Sequence, residues 1–462
     1  MEVPLIPMQS TLERSAAPDA PFLPSGKLLG HLSFMSHDPL SAFVRARDEK
    51  GDIVRVRMVH KTALFIYRPE YIKHVLLDNA ANYTKTTRGY DKLRLILGNG
   101  LVTSEGDFWL RQRRTAQPAF HRQRIAGFAD TMVTATDDLV HRWRPMAKTG
   151  VEVDVAAAMY RLTLRIAGET LLSTDVTGEA RGVGDAIDVV LRNFSRLVSS
   201  ALPWPEYWPS AKNWRFWRAV RSIQRVVGAM IADRRESGAD IADLLGMFMA
   251  ARDPETGEGM SDAQLLDEVL TMFLAGHETT ANGLSWTLYL LAQHPEVAAK
   301  IEAELHDVLG NRAATMADVS GLGYTTQVLR ESMRLYPPVW ALAREAAAED
   351  TIGGYRVPKG AFVFISQHAI HRHPGLWSNP ETFDPDRFGL DRPAPDRFAY
   401  LPFSRGQRQC IGDRFAEMEL VLVIATLLQR YRFRLVPGHR VTMEPAVTLR
   451  PRDGIKMFLE AR

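Results

Sequence analysis

The only cysteine of the chain lies in the segment FSRGQRQCIG, Phe403–Gly412, close to the C-terminus. Glycine tolerates positive φ and lets the backbone come close to another body, and Gly406 and Gly412 flank Cys410 on its two sides. A lone cysteine is often a buried structural residue. In a tight glycine loop it is also a candidate metal ligand or nucleophile.

Charges around the loop favour the ionised sulfur. A helix is predicted to begin near Asp413, and its N-terminal amides point back toward Cys410. This dipole, together with Arg405 and Arg408, favours a thiolate. A nucleophile would also need one of the 13 histidines as a nearby base. A single cysteine excludes an internal disulfide framework, a zinc site of several thiolates and an all-cysteine iron–sulfur cluster.

A second candidate motif is AGHETT, Ala275–Thr280, in the middle of a long apolar run. One glycine and two threonines are poor helix formers, so a property other than helix stability selects them. A threonine hydroxyl that bonds to a carbonyl one turn back loosens a helix and can open a groove. The alternative is an ordinary buried helix whose hydroxyls bond to their own backbone.

Two further motifs pair side chains at helical spacing. ESMR puts Glu331 and Arg334 three residues apart on one helix face, where they can form an ion pair, and FDPDRF follows with Arg387. WLRQRR puts Trp109 and Arg113 one helical turn apart. Taken singly, such pairs are more typical of a solvated helix surface.

In their order along the chain, the four motifs resemble those of the cytochrome P450 family. The segment around the cysteine has every fixed position of the family's haem-binding signature, met by Phe403, Gly406, Arg408, Cys410 and Gly412. The motifs span residues 109–412, and the resemblance covers nearly the whole chain. It implies the cytochrome P450 fold, which is mainly α with a minor β part: a triangular helical domain with small sheets around a buried haem.

The resemblance also implies roles for the matched residues. Cys410 is the axial ligand to the iron of haem b, Thr279 is the oxygen-activating threonine, and Glu278 is the adjacent acid that helps to deliver protons through water. The other haem-contacting residues are Trp109, Arg113, Arg344, Phe403, Arg408 and Ala275, with Trp109 and the arginines at the propionates. Glu331, Arg334 and Arg387 form a buried network that holds the cysteine loop. The substrate pocket includes Phe273, Val339, Trp340 and Val447, together with residues 85–100 and the RNFSRLVSSALPW segment (192–204).

The implied reaction is that of a haem-thiolate monooxygenase. It inserts one oxygen atom from O2 into a C–H bond of a hydrophobic small molecule such as a terpenoid, a fatty acid or a steroid-like compound. About fifty residues follow Cys410, too few for a reductase domain, and no flavin or nicotinamide fingerprint precedes it. A ferredoxin or flavodoxin with its reductase is therefore expected as electron donor. RQRRTAQPAFHRQR, residues 111–124, has five arginines and no acid, and with Arg405, Arg408 and Arg414 it could form the docking surface.

Other functions remain open at this point. A non-catalytic haem sensor or carrier would share the cysteine loop, as would a peroxide-driven haem-thiolate enzyme or a haem-thiolate rearrangement enzyme. The acid–threonine pair at Glu278 and Thr279 argues against the last two, which would not need it. His277 is expected to be a spacer or packing residue, and HAIHRH (368–373) a structural segment.

The element that must carry Thr279 is a helix from Ser261 to about Gln293. Ser261 and Gln264 form a capping box, and His294-Pro295 ends the helical pattern. Because the helix is apolar on most sides, we expect it to be buried near the centre of the fold.

Shorter patterns predict the remaining elements. DIVRVRM and TALFIYR predict a small sheet near the N-terminus, and GGYRVPKGAFVFIS predicts a hairpin with Pro-Lys-Gly at its turn. DRFAEMELVLVIATLLQRYR predicts the helix after the cysteine. Residues 1–30 form a Pro-rich lead-in, and since no Gly/Ser-rich linker divides the rest, residues 31–462 are expected to form a single domain.

Composition limits the classes of partner. The chain has 57 Lys and Arg against 54 Asp and Glu, a net charge of +3, which argues against a nucleic-acid-binding protein. Its N-terminus lacks the basic and apolar regions of a signal peptide, and no stretch of about 18 apolar residues predicts a membrane span. We expect a cytoplasmic monomer.

Overall fold

Helices dominate the computed structural model, which describes residues 17–25, 30, 31, 35, 37–174, 181–199, 205–238 and 241–462. The α-helices are α1 (Pro39–Lys50), α2 (Pro69–Lys73), α3 (Arg88–Leu97), α4 (Gly106–Ala116), α5 (Arg122–Ile125), α6 (Ala129–Thr149), α7 (Val155–Leu172), α8 (Arg181–Ser199), α9 (Ala211–Ser237), α10 (Leu244–Ala250), α11 (Asp262–Gln293), α12 (Pro295–Leu309), α13 (Gly323–Leu335), α14 (Gln367–Ile370) and α15 (Asp413–Leu428). The strands are β1 (Ile53–Met58), β2 (Lys61–Ile66), β3 (Tyr83–Thr84), β4 (Val153–Asp154), β5 (Leu342–Ala346), β6 (Asp350–Ile352), β7 (Tyr355–Val357), β8 (Phe362–Ile365), β9 (Tyr431–Leu435), β10 (Met443–Pro445), β11 (Leu449–Pro451) and β12 (Lys456–Ala461). A mainly α fold with minor sheets was expected from the sequence and is confirmed.

The longest helix, α11, is buried along most of its length and packs against α7, α9, α13 and α15. Its capping box forms as predicted. The Gln264 amide donates to the Ser261 hydroxyl at 3.3 Å, and the Gln264 side chain accepts from the Ser261 amide at 2.8 Å. The helix stops at Gln293, and Pro295 begins the next helix. A helix that is apolar on nearly all sides thus runs through the helical core and presents its middle to the site.

The largest sheet has the strand order β1-β2-β8-β5-β3. Strands β2 and β8 pair in parallel, and the other neighbours pair antiparallel. The strands β4, β12 and β9 form a second sheet, and β6-β7 and β10-β11 form two-stranded ribbons.

The predicted hairpin over GGYRVPKGAFVFIS is wrong. Strand β7 pairs with β6 through a turn at Gly353 and Gly354, whose φ values are 58° and 81°. Two consecutive glycines at positive φ are the stronger turn signal. Strand β8 instead lies between β2 and β5 and pairs with both of them, and its side chains Val363 and Ile365 are fully buried.

Near the N-terminus, residues 17–25 run beside β1. The Leu23 amide donates to the Arg55 carbonyl at 3.0 Å, and the Arg55 amide donates to the Pro21 carbonyl at 2.8 Å. The rest of the predicted lead-in, residues 1–16 and 26–29, lies outside the described residues, as does 200–204 of the predicted pocket segment. None of the helices that the structure describes combines the length and apolar character needed to cross a bilayer.

Candidate active site

A cavity of about 520 Å³ lies between the cysteine loop, the middle of α11 and the large sheet. Most of its lining is apolar, and it reaches from α3 and α8 on one side to Phe403 and Cys410 on the other. Of the predicted pocket residues, Val339, Trp340 and Val447 line it, as does Ala275.

Phe273 differs from the expectation, since it is not among the lining residues. Its side chain is 2% exposed and packs near the buried ring of His277. At 100° per residue it lies about 160° around the helix from Ala275, whereas Met272 and Thr279 share the cavity side. Helical spacing could therefore have excluded Phe273 from the sequence alone.

The cysteine loop is a compact turn. The Cys410 amide donates to the Phe403 carbonyl at 2.9 Å, and the Gln409 amide donates to the Gly406 carbonyl at 3.1 Å. Gly406 has a φ of 77°, and an added Cβ would lie 2.0 Å from the carbonyl oxygen of Leu76. Gly406 therefore packs directly against the backbone of residues 74–78, and this close contact requires a glycine.

Cys410 presents its side chain to the cavity, although protein atoms surround it on the other sides. Burial, with a smaller effect of Asp413, raises the pKa of the thiol to about 11; the Gly412 amide and Arg113 oppose this. The predicted preference for a thiolate through Arg405 and Arg408 is therefore wrong for the protein alone. A metal cation at the sulfur would supply the missing stabilisation, because a coordinating thiol is deprotonated outright.

The two arginines of that prediction have other partners. Arg405 donates to the Arg397 carbonyl at 3.2 Å. Arg408 donates to the Ser104 carbonyl at 2.8 Å and forms an ion pair with Glu105 at 3.0 Å. Both groups are thus fixed by the fold without contacting the thiol.

Trp109 and Arg113 of α4 face the cavity in different ways. The Arg408 guanidinium carbon lies 3.7 Å from the centroid of the Trp109 ring, a cation–π contact that fixes the arginine. Arg113 donates to the carbonyl of Gln409 at 2.9 Å, the residue before the cysteine. The pair therefore supports both the signature arginine and the cysteine loop.

At one end of the cavity, the cations Lys85, Arg344 and Arg408 lie close together and outnumber the acids beside them. Lys85 is 8% exposed and donates to the Val102 carbonyl at 2.8 Å. Burial, and then the charges of Arg344 and Arg408, hold its pKa well below the usual value. Arg344 does not line the cavity itself but lies 3.4 Å from the hydroxyl of Tyr90, which does. Excess positive charge beside an apolar cavity fits the carboxylates of a haem.

The middle of α11 forms the opposite wall. The Thr279 hydroxyl donates to the Ala275 carbonyl at 2.6 Å and Thr280 donates to the Gly276 carbonyl at 2.8 Å, bonds that an ordinary helix and a helix with a groove both allow, and the helix is continuous here. Glu278 is 4% exposed and lines the same cavity. His277 is fully buried against the ring of Tyr160 at 4.6 Å and is not a lining residue.

Beneath the cysteine loop, Glu331, Arg334 and Arg387 come together. Arg334 donates through Nε at 2.7 Å and Nη2 at 2.8 Å to the two carboxylate oxygens of Glu331. Arg387 approaches the same carboxylate at 3.3 Å. Arg334 also donates to the His371 carbonyl, and the His371 ring accepts from the amide of Leu401. The network thus connects α13 to the chain that enters the loop, and it includes a histidine of HAIHRH.

Sequence reasoning missed one polar residue of the cavity, Glu419. Glu419 is buried on α15, its Oε1 makes no hydrogen bond among the described residues, and burial raises its pKa well above the usual value. Its position directly before the apolar run LVLVIATLL was the available signal. Lys85 and Tyr90 lie in the predicted 85–100 pocket segment, and both line the cavity, but no motif assigns a role to their polar groups.

Known proteins match this chain over most of its length. The family model for Cytochrome P450 matches residues 20–457. Cyclooctat-9-en-7-ol 5-monooxygenase of Streptomyces melanosporofaciens is 38% identical over 449 residues, 94% of each chain. Pentalenene oxygenase of Streptomyces avermitilis is 34% identical over 92% of this chain and 91% of its own. Carotene epsilon-monooxygenase, chloroplastic, of Arabidopsis thaliana is 31% identical over 90% of this chain and 80% of its own.

The family match and the site agree. The thiol at the cavity, the cation cluster and the apolar lining fit a thiolate-ligated haem, and the family's cofactor is haem b. The chain belongs to the cytochrome P450 family and is a haem-thiolate monooxygenase.

Proposed function

We propose that this monooxygenase hydroxylates a neutral terpenoid. The observation that carries the proposal is that Cys410 and the pair Glu278–Thr279 face one cavity with a mostly apolar lining. The relatives' names support the substrate class, since they specify cyclooctat-9-en-7-ol, pentalenene and carotene. The cations among the described lining residues are Lys85, Arg113 and Arg408. If they hold the haem propionates and the cysteine loop, none is left for the carboxylate of a fatty acid, which favours an uncharged substrate.

We propose these roles for the cofactor-binding residues. Cys410 would ligate the iron. Arg408, Lys85 and Arg344 would hold the propionates. Trp109 would fix the side chain of Arg408 through the cation–π contact. Thiolate-ligated haem iron activates dioxygen for insertion into a C–H bond. Arg113 would position the cysteine loop through the Gln409 carbonyl. Phe403 and Ala275, which both line the cavity, would contact the haem.

Proton delivery would depend on α11. The Thr279 hydroxyl donates its proton to the Ala275 carbonyl, so its oxygen can accept a hydrogen bond from a water in the cavity. Glu278 lies one residue away on the same lining and would exchange protons with that water. The apolar lining would keep other water away from the reacting carbon.

The first test is the difference spectrum of the dithionite-reduced protein with carbon monoxide, beside Cys410→Ser. A strongly red-shifted Soret band that is lost in the variant would support Cys410 as the ligand. Gln407→Ala, an exposed change in the same loop, is the matched control and should keep the band. A histidine-like band would overturn the thiolate assignment and favour a sensor or carrier, and a folded protein without haem would overturn the whole account.

The second test is turnover of terpenoids with a surrogate ferredoxin and its reductase. Thr279→Ala should divert most electrons to peroxide or water with little loss of substrate binding, whereas Thr280→Ala is the neighbouring control. Undiminished coupling in Thr279→Ala would contradict the assignment. Product formation from peroxide alone, at a rate that is independent of Glu278 and Thr279, would favour the peroxide-driven alternative.

An acidic ferredoxin or flavodoxin is the proposed electron donor. Arg111 and Arg114 pair with acids of the 253–258 loop, so they contribute less than their sequence suggested. Arg122 and Arg124 remain exposed on α5, which packs against α15 beside the cysteine loop, and are the proposed contacts. Arg414 pairs with Glu417 at 3.6 Å and therefore also contributes less. Opposite charges increase the rate of encounter. Arg122→Glu with Arg124→Glu should slow reduction by the donor in a salt-dependent manner, and equal rates would refute this docking surface.

A further inference from the structure

The outer face of α9 is rich in cations and tryptophan. Trp214, Arg218, Arg221 and Arg225 are exposed and, at 100° per residue, lie within a sector of about 60°. The buried residues of the helix, such as Phe216, Ile223 and Val227, lie on the opposite side. The cations therefore point directly away from the core.

No acid offsets this charge nearby. Lys212 and Arg215, which lie about 160° and 100° around the helix from Trp214, bring the number of cations between residues 212 and 225 to five, and the sequence has no Asp or Glu from 207 to 232. None of the five makes an ion pair with the residues that the structure describes. Over 13 residues the positive charge extends for about 20 Å.

Exposed aromatic rings lie at the N-terminal end of the same helix. Trp214 is 63% exposed, Trp208 is 52% exposed and Tyr207 is 64% exposed. The Arg218 guanidinium lies 5.4 Å from the Trp214 ring. We call Tyr207, Trp208, Trp214, Arg218, Arg221 and Arg225 the basic–aromatic surface.

This surface is joined to the cavity wall. Glu206, beside Tyr207, forms a buried ion pair with Lys92 of α3 at 2.7 Å, and the next residue, Leu93, lines the cavity. Asn213 accepts a hydrogen bond from Arg196 of α8 at 2.6 Å, and Phe194 of that helix also lines the cavity. A body bound at the surface would therefore lie against two elements of the wall.

We propose that the basic–aromatic surface docks on the anionic headgroups of a phospholipid bilayer. Tryptophan and tyrosine concentrate at the membrane–water interface, and clustered Lys and Arg bind anionic lipids. An acidic protein would match the cations, but would leave the three exposed rings unexplained. Docking would bring the cavity wall to the bilayer, in which an apolar substrate dissolves. Only this last point rests on the proposed function.

The test is co-sedimentation of the haem-loaded protein with vesicles. We expect binding to phosphatidylcholine vesicles that contain phosphatidylglycerol, weak binding to phosphatidylcholine alone, and loss of binding at high salt. The triple variant R218Q/R221Q/R225Q should partition about 100-fold more weakly. W208A/W214A should also weaken binding. The control triple R392Q/R440Q/R452Q removes the same charge from other exposed positions and should bind as the parent protein does.

Each outcome bears on the proposal. Equal binding to both vesicle types, no binding, or equal losses in the two triple variants would overturn it. Loss of ferredoxin-supported reduction in R218Q/R221Q/R225Q with unchanged vesicle binding would assign the surface to an acidic protein instead. A concentration-dependent dimer abolished by W208A/W214A, without vesicle binding, would assign it to a second copy. The carbon monoxide spectrum checks that each variant is folded, and the vesicle assay needs no turnover, so failure of the terpenoid assignment would be seen separately.

Discussion

Replacing Glu331 by glutamine should remove the charge that compensates a fully buried arginine. Both Glu331 and Arg334 are 0% exposed. The Glu331 carboxylate accepts from two nitrogens of Arg334, from the Asp384 amide at 2.9 Å and from Arg387. In Glu331→Gln, one side of the group becomes an amide donor that faces arginine donors. Arg334 keeps only carbonyl acceptors, at His371, Pro380 and Thr382.

The expected cost is about 3–5 kcal/mol of unfolding free energy, since breaking a buried pair leaves an uncompensated charge. That is a large part of the roughly 5–15 kcal/mol that stabilises most proteins. Because the network also holds the chain entering the cysteine loop, Glu331→Gln should lose haem at lower denaturant than the parent protein.

Urea unfolding followed by far-UV circular dichroism and by the Soret band would measure both effects. Glu49→Gln is the control, because it removes one member of an exposed pair with Arg45 that is worth about 0.5 kcal/mol or less. If Glu331→Gln costs no more than this control, the network does not carry the stability that its burial implies.

Two other changes test particular contacts. Burial raises the pKa of Glu268, which accepts from the Leu101 amide at 3.0 Å, from 4.5 to about 7. The folded protein therefore holds a proton that the unfolded chain has lost, and this group's contribution to stability is complete below pH 4.5 and lost as the pH rises through about 7. Between pH 4.5 and 7 the free energy of unfolding should fall by about 3 kcal/mol because of this group. Urea titrations across this pH range should show that Glu268→Gln abolishes the fall. A variant with the same pH profile as the parent protein would contradict the raised pKa of Glu268. Gly406→Ala places a Cβ against the Leu76 carbonyl at a residue with positive φ. It should destabilise the cysteine loop by several kcal/mol and reduce the haem content of the purified protein. A variant with full haem content would refute the packing argument.

The parts that sequence could predict depend on local patterns. The capping box at Ser261, the end of α11 at Gln293 and the Glu331–Arg334 pair each follow from residues within one turn of helix. The place of Lys85 in a cation cluster could not be predicted this way, because its partners at Val102, Arg344 and Arg408 come from other segments of the chain.

Strand pairing failed for the same reason. Nothing local in FVFI specifies that it pairs with a strand about 300 residues earlier, and the local pattern favours the neighbouring β7 as its partner instead. The pKa of the Cys410 thiol could not be predicted either. The direction of its shift depends on how deeply the fold buries the sulfur, and the charges near Cys410 in the sequence do not indicate burial.

The parallel pairing of β2 with β8 has a consequence for biosynthesis. Residues 63–66 of β2 are all buried in the finished sheet, but their partners at 362–365 are made about 300 residues later. At ribosomal rates of about 5–20 residues per second, this apolar edge waits roughly 15–60 s for its neighbour. Cys410 emerges later still. The chain must therefore remain open, with a strand edge that invites mispairing, until nearly all of it has been synthesised, and haem can be captured only at the end of that interval.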